Sequence, residues 1–193
     1  MDNKVHGILQ LMAPLIKSPN ALNRDGDSPI IWAAKQPARR GCDDIVKILA
    51  PLMVKPNIPN QDGVTPIHYT VLKGNLEMVK FLARLTNNPN ALAQNGSTPI
   101  HAAAFNGHLD IVIFLVNHTD DPNPQNQNGK TPIYVAAERG KVEVVKFLAP
   151  LVDNYNAPDN EGVTPIQLAA NKGHQDIVDV LTQYAHAGNN VQQ

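Results

Sequence analysis

Cysteine is almost absent: Cys42 is the single one in 193 residues, so no internal disulfide can form and a reducing compartment is the natural setting. Neither sign of charge is in excess, since sixteen basic and seventeen acidic residues give a formal net charge of −1. No basic stripe suited to a phosphate backbone is present, which argues against nucleic acid as a partner. No apolar run approaches the length that spans a bilayer, so no membrane partner is expected. Met1-Asp2-Asn3-Lys4 lacks the charged-then-apolar order of a secretion signal, and a cytoplasmic location is the expectation. The chain also shows no Cys/His set with ligand spacing, no paired acids, no nucleophile with its base and no phosphate loop. Catalytic residues, metal and cofactors are therefore all expected to be none.

What the chain does contain is one phrase written five times: Ser28-Pro29-Ile30, Thr65-Pro66-Ile67, Thr98-Pro99-Ile100, Thr131-Pro132-Ile133 and Thr164-Pro165-Ile166. The last four begin 33 residues apart. A fixed period of this size marks a repeat array, in which each unit packs only on its neighbours and a long surface replaces a central pocket. Sixteen prolines and twelve glycines recur at fixed positions, so they are turn chemistry and not disorder.

Residues 60–92 show how one unit is built. Asp62-Gly63 is a turn pair, with glycine free to take a positive φ. Thr65 stands at a helix N-cap, and Pro66 follows at the first helical position, where its missing N–H costs nothing. Ile67, Thr70 and Val71 form a stripe, and Gly74 ends this first helix. A second helix runs through Leu76-Glu77-Met78-Val79-Lys80-Phe81-Leu82-Ala83, with Leu76, Met78, Val79, Leu82 and Ala83 on its buried face. Neither helix is long enough to stand alone, so packing between units must hold both.

The same grammar predicts a half-repeat cap over 1–22, a repeat over 23–59, and further repeats over 60–92, 93–125, 126–158 and 159–191. Ser28 to Gly41 spans 13 residues where Thr65 to Gly74 spans nine, which places a four-residue insertion near Gln36-Pro37-Ala38-Arg39. Ile8 to Leu15 matches Ile45 to Leu52 in register and reads as a lone second helix covering the first repeat. Thr164 and Gln167 have capping-box spacing, and Gly188 to Gln193 reads as a frayed end.

Thr98-Pro99-Ile100-His101-Ala102-Ala103-Ala104-Phe105-Asn106-Gly107-His108-Leu109-Asp110-Ile111-Val112 closely resembles the ankyrin repeat. The resemblance covers essentially the whole chain. It implies an all-α helical repeat solenoid with β-hairpin or turn connections, and a monomeric protein-binding module without chemistry of its own. It also implies that recognition falls on the turn tips and the exposed ends of the first helices, which form a concave face. Mapped here, those positions are Arg24, Asp27, Gln61, Val64, Gln94, Ser97, Gln127 and Lys130 at the tips, and Leu72, Lys73, Phe105, Asn106, Glu138 and Arg139 at the helix ends. Leu72 and Phe105 share one register position where other units carry Lys35, Glu138 and Asn171, so an apolar centre with a polar rim is expected there.

Other features have plainer readings. His68 and His101 sit where the family uses histidine to bond neighbouring loops, and His108 and His174 follow the glycines that end first helices. Cys42 has no base beside it in the repeat register and reads as a passive thiol. Asn95-Gly96-Ser97 and Asn117-His118-Thr119 fit the glycosylation pattern, a coincidence where no secretion signal is read. Leu115, Asp121 and Asn123 have a spacing similar to the family's asparagine-hydroxylation pattern, but Asn123 more simply holds the arm, as Asn57, Asn90 and Asn156 do. Trp32 is either a binding aromatic or a filler beneath the half-repeat. The leading function is binding of an unidentified protein partner; the alternative is a structural or engineered scaffold without an evolved partner.

Overall fold

A computed structural model describes residues 18, 21–36, 42–53 and 55–189. The half-repeat at Ile8 to Leu15 and, of the expected insertion, Pro37 to Arg39 lie outside them. Among the described residues there are ten α-helices and no strand. The chain divides between Gln94 and Asn95 into two compact units.

In the first unit, α1 (Pro29–Lys35) packs on α2 (Cys42–Leu49), and α3 (Pro66–Leu72) packs on α4 (Leu76–Ala83). The two first helices, α1 and α3, also lie against each other. The second unit repeats the plan with α5 (Pro99–Asn106), α6 (Leu109–Val116), α7 (Pro132–Glu138), α8 (Val142–Leu148), α9 (Pro165–Asn171) and α10 (Gln175–Asn189). There α7 touches α5 and α9 as well as its own partner α8. A short 3-10 turn, Ala50–Leu52 or Ala149–Leu151, follows α2 and α8.

Each first helix begins with the chemistry that the tripeptide announces. Ser28 Oγ accepts from the Ile31 N–H at 3.3 Å, and Thr131 Oγ1 from the Tyr134 N–H at 3.1 Å. Proline then fills the first helical position in all five helices. The isoleucine behind it, at 30, 67, 100 and 133, is fully buried. From α4 the buried face is Met78, Val79, Leu82 and Ala83, while Leu76 is only half-buried.

One element departs from expectation. Cys42 opens α2 as its first residue, two residues ahead of the expected start at Asp44. The last helix runs to Asn189, and the rest of the expected frayed end, from Asn190 to Gln193, lies outside the described residues.

The turns between repeats are self-bonded. Asn23, Asn60, Asn126 and Asp159 each open a turn, and each side-chain oxygen accepts the backbone N–H groups two and four residues later at 2.9–3.1 Å. The glycine at the tip takes a positive φ in every turn. At Gly129 a side chain is excluded twice over, since a Cβ would also sit 2.7 Å from the Asn160 backbone nitrogen.

Candidate functional site

The first helices and the turn tips carry the polar and aromatic side chains that distinguish one repeat from the next. His101 in α5 shows how they are positioned. Its Nδ1 accepts the Thr98 backbone N–H at 3.1 Å, closing a capping box in which histidine replaces the usual Glu or Gln. That acceptor role leaves the proton on Nε2, which donates to the Lys130 carbonyl of the next turn at 3.0 Å. His68 Nδ1 accepts the Thr65 N–H in the same way at 3.1 Å. Gln167 repeats the box by accepting the Thr164 N–H at 3.0 Å, as its spacing predicts.

Burial holds the His101 ring below its ordinary pKa of 6.5. The sign of the pH effect follows. Below pH 6.5 the unfolded chain takes up a proton at this histidine that the folded chain refuses, so stability is complete above that value and declines as pH falls toward the folded pKa. Melting temperature is therefore expected to drop between about pH 7 and 5, and His101→Gln, which keeps the cap acceptor, should flatten that drop. A variant whose pH profile parallels the wild type would place the dependence elsewhere.

Tyr134 occupies the register position of His101 and does a related job. Its hydroxyl donates to Asp159 Oδ2 at 2.7 Å, again reaching the following turn. The phenol is pushed up by burial and the nearby carboxylate, while its hydrogen bond holds Asp159 below the usual carboxylate range. Beside this pair, Lys130 Nζ lies 3.3 Å from Glu138 Oε1 and 5.1 Å from the centre of the Tyr134 ring. The Arg139 guanidinium stacks over Phe105 at 3.9 Å.

The first unit reverses that polarity. Asp27 is on the turn and Lys35 on the helix, joined at 2.6 Å, and Asn60 donates to the other Asp27 oxygen at 3.0 Å. The Asp27 bond raises the Lys35 pKa, and its ammonium also lies 5.5 Å from the Tyr69 ring. Asp27 is thus buried, which corrects the expectation that it is an exposed tip residue. Each Asp27 oxygen has a partner inside the stack, Lys35 on one and Asn60 on the other.

The other expected positions separate into two groups. Several spend their polar atoms on the array: Gln94 Nε2 donates to the Gln61 carbonyl at 2.6 Å, Ser97 Oγ accepts from Asn126, and Asn106 donates to Ala102 within its own helix. Gln127 receives Asn160 on its carbonyl, and Lys73 donates to the Gln36 carbonyl. Arg24 stays exposed at its tip and Val64 is half-exposed. Leu72 is the one large apolar side chain among these positions that stands mostly free, 50% exposed at the end of α3. Phe105, its register mate, is half-buried under Arg139, so the two are not alike in what they present. Tyr134 and Asp159 were outside the expected set; the shared register of Tyr134 with His101 was the signal that points to them.

The family model described as ankyrin repeats (3 copies) matches residues 3–83, 36–126 and 118–193. The chain belongs to the ankyrin-repeat family. No curated protein sequence matches it. Ankyrin repeats are generally protein–protein interaction modules and typically non-catalytic. Within this ankyrin array Asn123 Oδ1 accepts the Ile133 N–H at 3.1 Å, and Asn57 and Asn156 do the same for Ile67 and Ile166. These asparagines hold the arm. Among the described residues no group of His, Cys, Asp or Glu could hold a metal ion, and no helix is long and apolar enough to cross a membrane.

Proposed function

We propose that the chain binds a partner protein through the turn tips and first-helix ends of its units, without catalysis. The observation that carries this reading is Leu72. It is a large apolar side chain left half exposed at the end of α3, beside Lys73. Apolar anchors inside a polar rim are the centres of protein interfaces. In the first unit polar side chains of the tips are already ordered, since Gln94 donates to the Gln61 carbonyl; the second unit by itself holds Lys130, Glu138, Tyr134 and Arg139 in the same way. Side chains fixed before contact lose little conformational entropy on binding.

Leu72→Ser is expected to weaken partner binding by about thirtyfold, the loss of a typical hot spot, with the melting temperature almost unchanged. Binding measured against the partner retained from lysate by the wild-type chain tests this. Unaltered affinity would remove Leu72 from the interface, and a large fall in melting temperature would make it a structural residue.

A further inference from the structure

Asparagine is followed by glycine three times in the second unit, at Asn95-Gly96, Asn106-Gly107 and Asn128-Gly129. Such a pair can react with itself. Without a Cβ on the following residue, the glycine backbone nitrogen can approach the asparagine Cγ. Covalent sequence makes the three pairs nearly equal, but the fold does not.

Asn106 ends α5, its Nδ2 donates to Ala102, and the Gly107 N–H donates to the Ala103 carbonyl at 2.9 Å and the Ala104 carbonyl at 3.2 Å. Nucleophile and electrophile are both tied, and helical backbone holds them apart. Asn128 is at a turn tip, yet that turn is pinned by Asn126, which accepts from both Asn128 and Lys130. Gly129 is buried there, and its N–H donates to the Asn126 carbonyl at 2.9 Å.

Asn95 differs in its turn. Its side chain is exposed, as that of Asn128 is, but its turn opens with Ala93, where the other four turns have the self-bonding Asn or Asp. Its own Oδ1 accepts the Ser97 N–H at 2.9 Å. That bond folds the side-chain amide back over the Asn95–Gly96 peptide and withdraws electron density from Cγ, the atom to be attacked.

We propose that Asn95-Gly96 is a site of spontaneous deamidation and aspartyl isomerisation. The Gly96 nitrogen bonds to Asn95 Cγ, the Cγ–Nδ2 bond breaks, and ammonia departs with the proton from the Gly96 amide. Water then opens the five-membered imide. Cleavage of the bond from nitrogen to Cγ gives aspartate; cleavage of the bond to the main-chain carbonyl carbon gives isoaspartate. Aspartate already occupies this tip position at Asp25 and Asp62, so that product fits the turn. Isoaspartate carries the chain through Cβ and removes the main-chain carbonyl that accepts the Gln127 N–H at 3.0 Å. The tip that carries Ser97 and receives Gln127 therefore acquires charge and loses its tie with time.

The test is peptide mapping of the full chain incubated folded at mildly alkaline pH, and in parallel in urea, with isoaspartate quantified by isoaspartyl methyltransferase labelling. In the folded chain Asn95 should convert at least about tenfold faster than Asn106 and faster than Asn128, because those two need a local opening first. In urea the three rates should converge. Asn95→Gln should remove the early label and leave the melting temperature unchanged. Equal rates at the three sites in the folded chain, or an Asn95 that stays intact while the denatured chain converts, would overturn the assignment.

Discussion

Ile133→Ala should cost about 2–5 kcal/mol, the range for truncating a fully buried isoleucine whose surroundings cannot collapse into the space. Ile133 has no exposed surface and lies at the first turn of α7, the helix that packs on α5, α8 and α9. A cavity there loosens contacts on three sides of one element. Because stability in repeat arrays comes from neighbour contacts, the loss should spread over the second unit. Chemical denaturation read by circular dichroism measures it. A loss below about 0.5 kcal/mol, the level of an ordinary surface change, would mean that α7 does not hold the unit together.

His101→Ala should cost about 1–3 kcal/mol, the cost of leaving one buried polar group unsatisfied. That group is the Thr98 N–H at the start of α5; the Lys130 carbonyl in the next turn loses the ring N–H but keeps the Asn126 N–H at 3.0 Å. His101→Gln should recover part of the loss, because Gln167 performs the capping half of the role at the same register position. If glutamine is no better than alanine, the cap is not what His101 contributes. If alanine is harmless, the bridge to Lys130 is not part of the fold's stability.

These two residues mark what could and could not be read in the chain. Ile133 was legible because its tripeptide recurs, and the same holds for the proline at each helix start and the glycine at each tip. Those features are local, and a 33-residue period exposes them. His101 was legible as a bonding residue but not as a cap, since its acceptor is a ring nitrogen where the usual box has a Glu or Gln. Asp27 was misread because burial depends on distant partners: Asn60 is 33 residues away and Lys35 eight. Tyr134 was missed because it keeps the position of His101 but not its chemistry, and reaches a carboxylate in place of a carbonyl. Cross-repeat pairs of this kind leave no fixed residue type behind, so repetition marks the position and not the partner.

Backbone hydrogen exchange of the chain with and without its captured partner tests the proposed surface most directly. Slowed exchange is predicted around residues 61–64 and 72–73 in the first unit, and around 127–130 and 138–139 in the second. The exposed outer residues of the second helices, with Ile48 46% exposed as their reporter, should exchange as they do in the free chain. Protection confined to α2, α6 and α8, with the tips and Leu72 unaffected, would contradict the account.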